Sequence, residues 1–516
     1  MRLIVLAICL PLCAAGQEDS LVRWKNLDFL TDFEKRAFTT WFKQGNEDAL
    51  LDLLLSTDAK PESVVNNARE RIDQISTKLA PEVDSKRKPE KYMKSVYQQV
   101  HGGFLQKYEI VNRFPEVFRN GNYNCVTATA LYALIFEKLN IPYAIQEKPT
   151  HVFLVAYPKQ NNILVETTAP VFGYLTYDDR YKQNFVENLK AQKLIGATEV
   201  QTQGIEELFN KYFFQSEDIT LSQLVGIHYM NDALYFEDQK ELEKALQQLE
   251  KAHFFYPSPR VSYLMMSVVV QTLTLTQPKP LERAALIGRA AKFTKLGITP
   301  DMIKGEFAML TETVLTRDNN KPLYRQCFET ISAQVEDPEL KSDIGYYYNF
   351  EIGRQFYNQG SYTPAKNYFA RGMEHQPNNS QLGNIFISAL ANSMKNETRP
   401  KVFLDTLNSY QARFPNLKEN NKFLTLLAVG YLMAYEEAMK DGKAAPGETY
   451  QVKFEALKRN NPDVDVPMGL IGSAYSAAGS YYFRKGQKAK AKAIIDRGLE
   501  YAPGEYQLRQ RRQMIN

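Results

Sequence analysis

The sequence predicts an α+β domain followed by an all-helical repeat region. Between Cys125 and Glu166 a helix-patterned stretch leads into two strand-patterned runs, while beyond residue 201 one pattern of small, aromatic and proline residues recurs three times in register. The 516-residue length supports two to four domains with ample core. On this reading the chain divides into residues 1–16, 17–90, 91–200 and 201–516.

Residues 1–16 read as a secretory signal peptide. Arg2 precedes the apolar run LIVLAICLPLCAA, with cleavage expected near Ala15 or Gly16. The run is too short for a spanning helix, and no other stretch is long and apolar enough to cross a bilayer. The expected location is therefore secreted or periplasmic. A lipid anchor on Cys13 is the lesser alternative, because bulky Leu12 stands where a small residue is normally required. Cleavage leaves Cys125 and Cys327 of the four cysteines, too few for a disulfide framework, so both are expected as thiols. With 63 Lys and Arg against 59 Asp and Glu, the net charge of +4 is mild. The one tight basic run is Lys86 to Lys88, so neither nucleic acid nor anionic membrane is indicated as a partner.

Residues 17–90 are charged and helix-patterned, with Leu27–Phe42 and Asp48–Leu55 as expected helices and Asp84–Lys91 as a polar connection. Met93–Tyr108 reads as a helix leading to a turn at Gly121 and Asn122; His101 within it is expected at the surface. From Val126 to Leu139 apolar residues recur at helical intervals, so Cys125 is expected at the first turn, behind an Asn124 cap. A thiolate there faces unpaired amides and the positive end of the helix. His151–Tyr157 and Asn162–Thr168 read as strands joined by the loop from Pro158 to Asn161. An antiparallel pairing across that loop sets His151 opposite Thr168 and makes Glu166 its diagonal neighbour, about 7 Å away between backbones. A slip of one residue would send Glu166 to the other face. A thiol, an imidazole and a carboxylate so placed have the residue types of a nucleophile, its base and the group that orients the base. Zinc is the weaker use of the three side chains, since CxxC and HExxH spacings are absent.

On the motifs GNYNCVTATALYALIFEKLNIPY, THVFLVAY and ILVETTAP, residues 95–175 resemble the transglutaminase-like superfamily of papain-related cysteine enzymes. The resemblance implies that Cys125 is the nucleophile, His151 the general base and then acid, and Glu166 the residue fixing the imidazole tautomer. Glu166 departs from the family's usual Asp by its longer arm. The backbone amide of Cys125 is one expected oxyanion donor. The implied chemistry is attack on an amide or ester carbonyl to give a thioester, resolved by water in a peptidase or amidase, or by an amine in an acyl transferase. It needs no metal or organic cofactor. A non-enzymatic envelope scaffold with a vestigial triad is the competing class.

The pairs Ala245/Pro257, Ala365/Pro377 and Ala491/Pro503 are each 12 residues apart. Twelve residues before each alanine stands a small residue (Ala233, Gly353, Gly479), and nine before it an aromatic (Phe236, Phe356, Tyr482). Gly360 and Gly486 recur five before it in two windows, while Pro415 and Pro462 look like ends of worn units. This resembles the tetratricopeptide repeat, which implies stacked antiparallel helix pairs. Such arrays bind protein or peptide partners or support a neighbouring domain, and the pattern alone leaves both open, as it does the oligomeric state.

Overall fold

The computed structural model describes residues 21–24, 27–45, 47–57, 61–84, 88–148, 151–158, 163–165, 179–191, 195, 197–213 and 218–515. The proposed leader, Cys13 and Glu166 lie outside these residues. The described chain is mostly helical, with few and short strands. It forms two compact units, one up to Ile303 and one from Lys304.

The first unit opens with helices α1 (Asp32–Gln44), α2 (Glu47–Leu55), α3 (Glu62–Asp84) and α4 (Pro89–Phe104). The first starts later than the expected Leu27, because the Thr31 hydroxyl accepts from the Glu34 amide and caps the helix there. Helix α4 ends before the expected Tyr108. Gly102 and Gly103 weaken its last turn, and Lys107–Tyr108 becomes strand β1. After the short α5 (Glu116–Arg119), β1 pairs in parallel with β2 (Asn122–Tyr123), where only a turn was expected. Gly121 between them has a φ of +79°, and a Cβ there would collide with the Gln106 side chain.

Helix α6 (Cys125–Lys138) begins at the expected residue. Every side chain from Val126 to Phe136 is buried, so it serves as the central rod of the unit. One side packs on a sheet of β3 (Tyr143–Lys148), β4 (His151–Ala156), β5 (Ile163–Val165) and β6 (Asp218–Ile219), ordered β5-β4-β3-β6 and antiparallel throughout. The Thr129 hydroxyl ties helix to sheet by donating to the Val152 carbonyl. Strands β3 and β6 escaped sequence reasoning, since Gln146, Glu147 and Lys148 interrupt any apolar alternation. Helices α7 (Asp179–Ala191) and α8 (Ala197–Phe213) follow β5.

Helices α9 (Leu221–Asp238), α10 (Leu242–Phe255), α11 (Pro259–Leu275) and α12 (Pro280–Ala290) complete the unit. The first repeat window is thus the hairpin α9/α10. Gly226 lets these helices touch: a Cβ there would lie 2.7 Å from the Tyr256 Cβ and 3.0 Å from the Ala252 carbonyl oxygen. Helix α9 also packs on α2 and α6. Phe38, Trp41, Phe254, Phe255 and Tyr229 form an aromatic cluster around a fully buried Glu34–Lys251 ion pair.

The second unit is helical in its described residues: α13 (Pro300–Thr311, whose first turn precedes Lys304), α14 (Lys321–Ser332), α15 (Pro338–Asn358), α16 (Tyr362–His375), α17 (Ser380–Ser393), α18 (Pro400–Arg413), α19 (Asn421–Lys440), α20 (Ala444–Asn460), α21 (Met468–Arg484), α22 (Lys488–Tyr501) and α23 (Tyr506–Met514). The later windows are the hairpins α15/α16 and α21/α22. Gly353 admits the Phe369 ring and Gly479 the Ile495 side chain, each within 2.7 Å of where a Cβ would stand. Gly360 and Gly486 take left-handed φ values of +73° and +76° at the connections, and Pro415 and Pro462 follow the ends of α18 and α20.

The first unit holds both tryptophans of the chain, Trp24 and Trp41. Gly226→Ala drives a methyl group into backbone that cannot yield, and should destabilise the unit by about 2 kcal/mol in denaturant titrations read by tryptophan fluorescence. Burial and the Arg113 charge pull the His228 pKa down to about 3, and burial pulls His253 down to about 4. Both stay neutral when folded while the unfolded chain protonates near 6.5, so their contribution is complete above that pH and falls as acid is added. Between pH 7 and 5 each histidine should cost about 2 kcal/mol, and His228→Gln should remove about half of that slope.

Candidate active-site cleft

Asn124 begins the site. Its side-chain oxygen accepts from the Thr127 amide at 2.9 Å, and the Thr127 hydroxyl accepts from the Asn124 amide at 2.9 Å, a reciprocal capping box at the buried start of α6. The Asn124 side-chain NH2 donates to the carbonyls of Ile110 and Asn112 and to the Tyr235 hydroxyl, at 3.2, 3.3 and 3.4 Å. Tyr235, from α9, donates to the Ile110 carbonyl at 3.1 Å and accepts from the Asn112 amide at 3.2 Å. The connection between β1 and α5, a cysteine loop in the sense that it packs on the start of the helix carrying Cys125, is thereby fastened to both α6 and α9.

This frame places Cys125 half-buried on the first turn of α6, in a cleft that His151 also lines. His151 is the first residue of β4, paired with Lys148 across the β3–β4 hairpin and stacked beside Phe153. Burial alternates along β4: Val152, Leu154 and Ala156 are buried, whereas His151, Phe153 and Val155 are half-buried. Cys125 and His151 therefore come to one cleft. The described β4–β5 pairs, Leu154 with Val165 through Ala156 with Ile163, have the register expected from the four-residue loop. Glu166 itself falls outside the described residues.

Tyr108 and Glu147 are cleft residues that sequence reasoning missed. The Tyr108 phenol is pushed up to about 12, by burial first and then by Cys125 and Tyr123 beside it, so it remains a hydrogen-bond donor at neutral pH. Buried Glu147 is ion-paired to buried Arg260 of α11, and its other oxygen accepts from the Tyr256 hydroxyl at 2.7 Å. Its partners lie more than 100 positions away, a separation that no local pattern announces. Glu147 shares the face of its cross-strand partner Val152, opposite that of His151. A buried, paired carboxylate of this kind fixes the sheet to α11.

His101, expected at the surface, is half-buried: it stacks on Tyr97 at 5.3 Å and meets Tyr123 edge-on, and burial lowers its pKa. Cys327 lies fully buried in α14, and burial pushes its thiol up to about 11. Both cysteines are thiols, as expected.

The cleft offers a thiol at the amide end of a helix, an imidazole and a phenolic donor, a set suited to acyl transfer through sulfur. Tyr235→Phe should keep the fold but loosen the cysteine loop, lowering stability by about 1 kcal/mol and slowing Cys125 alkylation severalfold, measured by mass spectrometry of the labelled peptide. No protein-family model matches the chain, and comparison with curated proteins likewise finds no match.

Proposed function

We propose that this protein is a cysteine-dependent hydrolase or acyl transferase with a transglutaminase-like, papain-related α+β core and a tetratricopeptide-like helical array that holds a protein or peptide partner. The observation carrying this reading is the meeting of Cys125, on the first turn of a buried helix, with His151 in one cleft. Asn124 and Thr127 provide rigid support, since a capped helix start holds its first side chain and amides in place.

In the proposed reaction the Cys125 thiolate adds to an amide or ester carbonyl, and His151 passes the proton to the leaving amine or alcohol as the thioester forms. The Cys125 amide and the hydroxyl of Tyr108, which lines the same cleft, serve the developing oxyanion in this reaction. Glu166 holds the imidazole tautomer. Water then resolves the thioester, and hydrolysis is the simpler outcome because it needs no second substrate site. The signal-like leader fits an exported protein acting in the envelope or outside the cell.

The test is site-resolved alkylation with iodoacetamide at pH 7. Cys125 should react at least about tenfold faster than Cys327, and His151→Ala should remove most of that advantage; Glu166→Gln should remove part of it. A Cys125 as slow as Cys327 would overturn the enzyme reading in favour of a scaffold with a vestigial triad. With a reactive thiol, peptide substrates incubated with and without a primary amine separate hydrolysis from transfer.

A further inference from the structure

The charge of the second unit is unevenly distributed. From Lys304 to Phe483 the sequence holds 19 basic and 20 acidic residues, whereas from Arg484 to Arg512 it holds nine basic and three acidic ones. All three acids in that last stretch are engaged inside it: Asp496 pairs with Arg512, Glu500 with Arg497, and Glu505 caps α23 by accepting from the Gln507 amide. Arg484, Lys485, Lys488, Arg509 and Arg511 are exposed, which leaves an outward excess of cations at one end of the array.

An apolar groove lies beside those cations. It runs along α21 and α23, with Phe483, Ile495, Met514 and Ile515 along its walls, Gly479 giving it depth, and Arg484 and Arg511 at its rim. Phe483 is 43 % and Met514 76 % exposed, large values for side chains of that kind. The Arg511 guanidinium is held at the edge by donating to the Ser480 hydroxyl at 2.6 Å.

We infer that this end of the array docks an acidic amphipathic segment of another protein, its apolar side chains seated in the groove and its carboxylates meeting the surrounding cations. A groove with an apolar floor selects a narrow ridge of side chains, such as one face of a helix, over a flat anionic surface. The rim supplies orientation and association rate; the methionine and phenylalanine supply an adaptable apolar contact. The inference rests on reading the array as partner-binding, and is independent of the thiol chemistry.

The test uses the whole chain and fluorescent helical peptides carrying leucine at i, i+4 and i+7 with glutamate between them. Controls exchange the glutamates for lysine or the leucines for serine. Anisotropy should show binding of the acidic leucine peptide alone, weakened about tenfold or more by Lys485→Glu/Lys488→Glu/Arg511→Glu and severalfold by Met514→Ser. These positions are exposed, and unchanged circular dichroism checks that the variants fold. Peptide binding that survives the charge reversal overturns this surface while leaving the array as a partner-binding scaffold. No binding of any peptide up to about 100 µM overturns both. Preferential binding to anionic phospholipid vesicles or duplex DNA, lost in the triple variant, overturns the peptide and assigns the cations to that ligand.

Discussion

The buried start of α6 is the constraint on which the first unit turns. The leading amides of a helix have no partners within it, and burial denies them water, so side chains and neighbouring loops must satisfy them. Asn124 does this in both directions, accepting from Thr127 inside the helix and donating to Ile110, Asn112 and Tyr235 outside it. The cap thereby fixes the connection between β1 and α5 as well as the helix that carries the thiol. Replacing Asn124 by an apolar residue would leave the Thr127 amide without its cap and the Ile110 and Asn112 carbonyls with the Tyr235 hydroxyl alone to share, a loss of several hydrogen bonds for one side chain.

Buried charges extend the same logic outward. Glu34 with Lys251, Glu147 with Arg260 and Asp232 with Arg113 join, respectively, α1 to α10, the sheet to α11, and the cysteine loop to α9. Such pairs add little net stability because desolvation offsets much of their attraction, but breaking one leaves a buried charge and is costly. All three draw one partner from α9 to α11, so the first hairpin of the repeat pattern is part of the frame around the cleft.

Legibility in the sequence followed the range of the interactions. Helix α6, its asparagine cap and the start of β4 rest on contacts within about four residues, and a local pattern discloses them. The helix hairpins were legible for a similar reason, since a small residue facing a ring recurs at fixed spacing. Strand β3 was not, because its central carboxylate is buried by a guanidinium and a phenol from α11 and the residues before it. Tyr235 was equally hidden: one residue short of the repeat's aromatic position, it points its hydroxyl into the cysteine loop through contacts more than 100 residues apart in sequence. The expectation for Glu166 rested on register alone; the pairs from Leu154 to Ala156 keep that register up to Val165, the last described residue of β5, and Glu166 lies outside the described residues.

The two cysteines show how helix position and burial divide one chemistry into two. Cys327 sits in the body of α14, where neighbouring turns have spent their amides on backbone bonds and the side chain is fully buried; burial there favours the neutral thiol, and its pKa rises to about 11. Cys125 sits where a helix begins, half-buried in a cleft that also holds an imidazole and a phenol. Amide dipoles directed at that point favour the anion, and the sulfur is only half-buried. Because the fold withholds both conditions from Cys327, that residue is a reference thiol within the same chain. A difference in reactivity between the two then combines the burial of Cys327 with the chemistry around Cys125, and the part that depends on His151 belongs to the cleft.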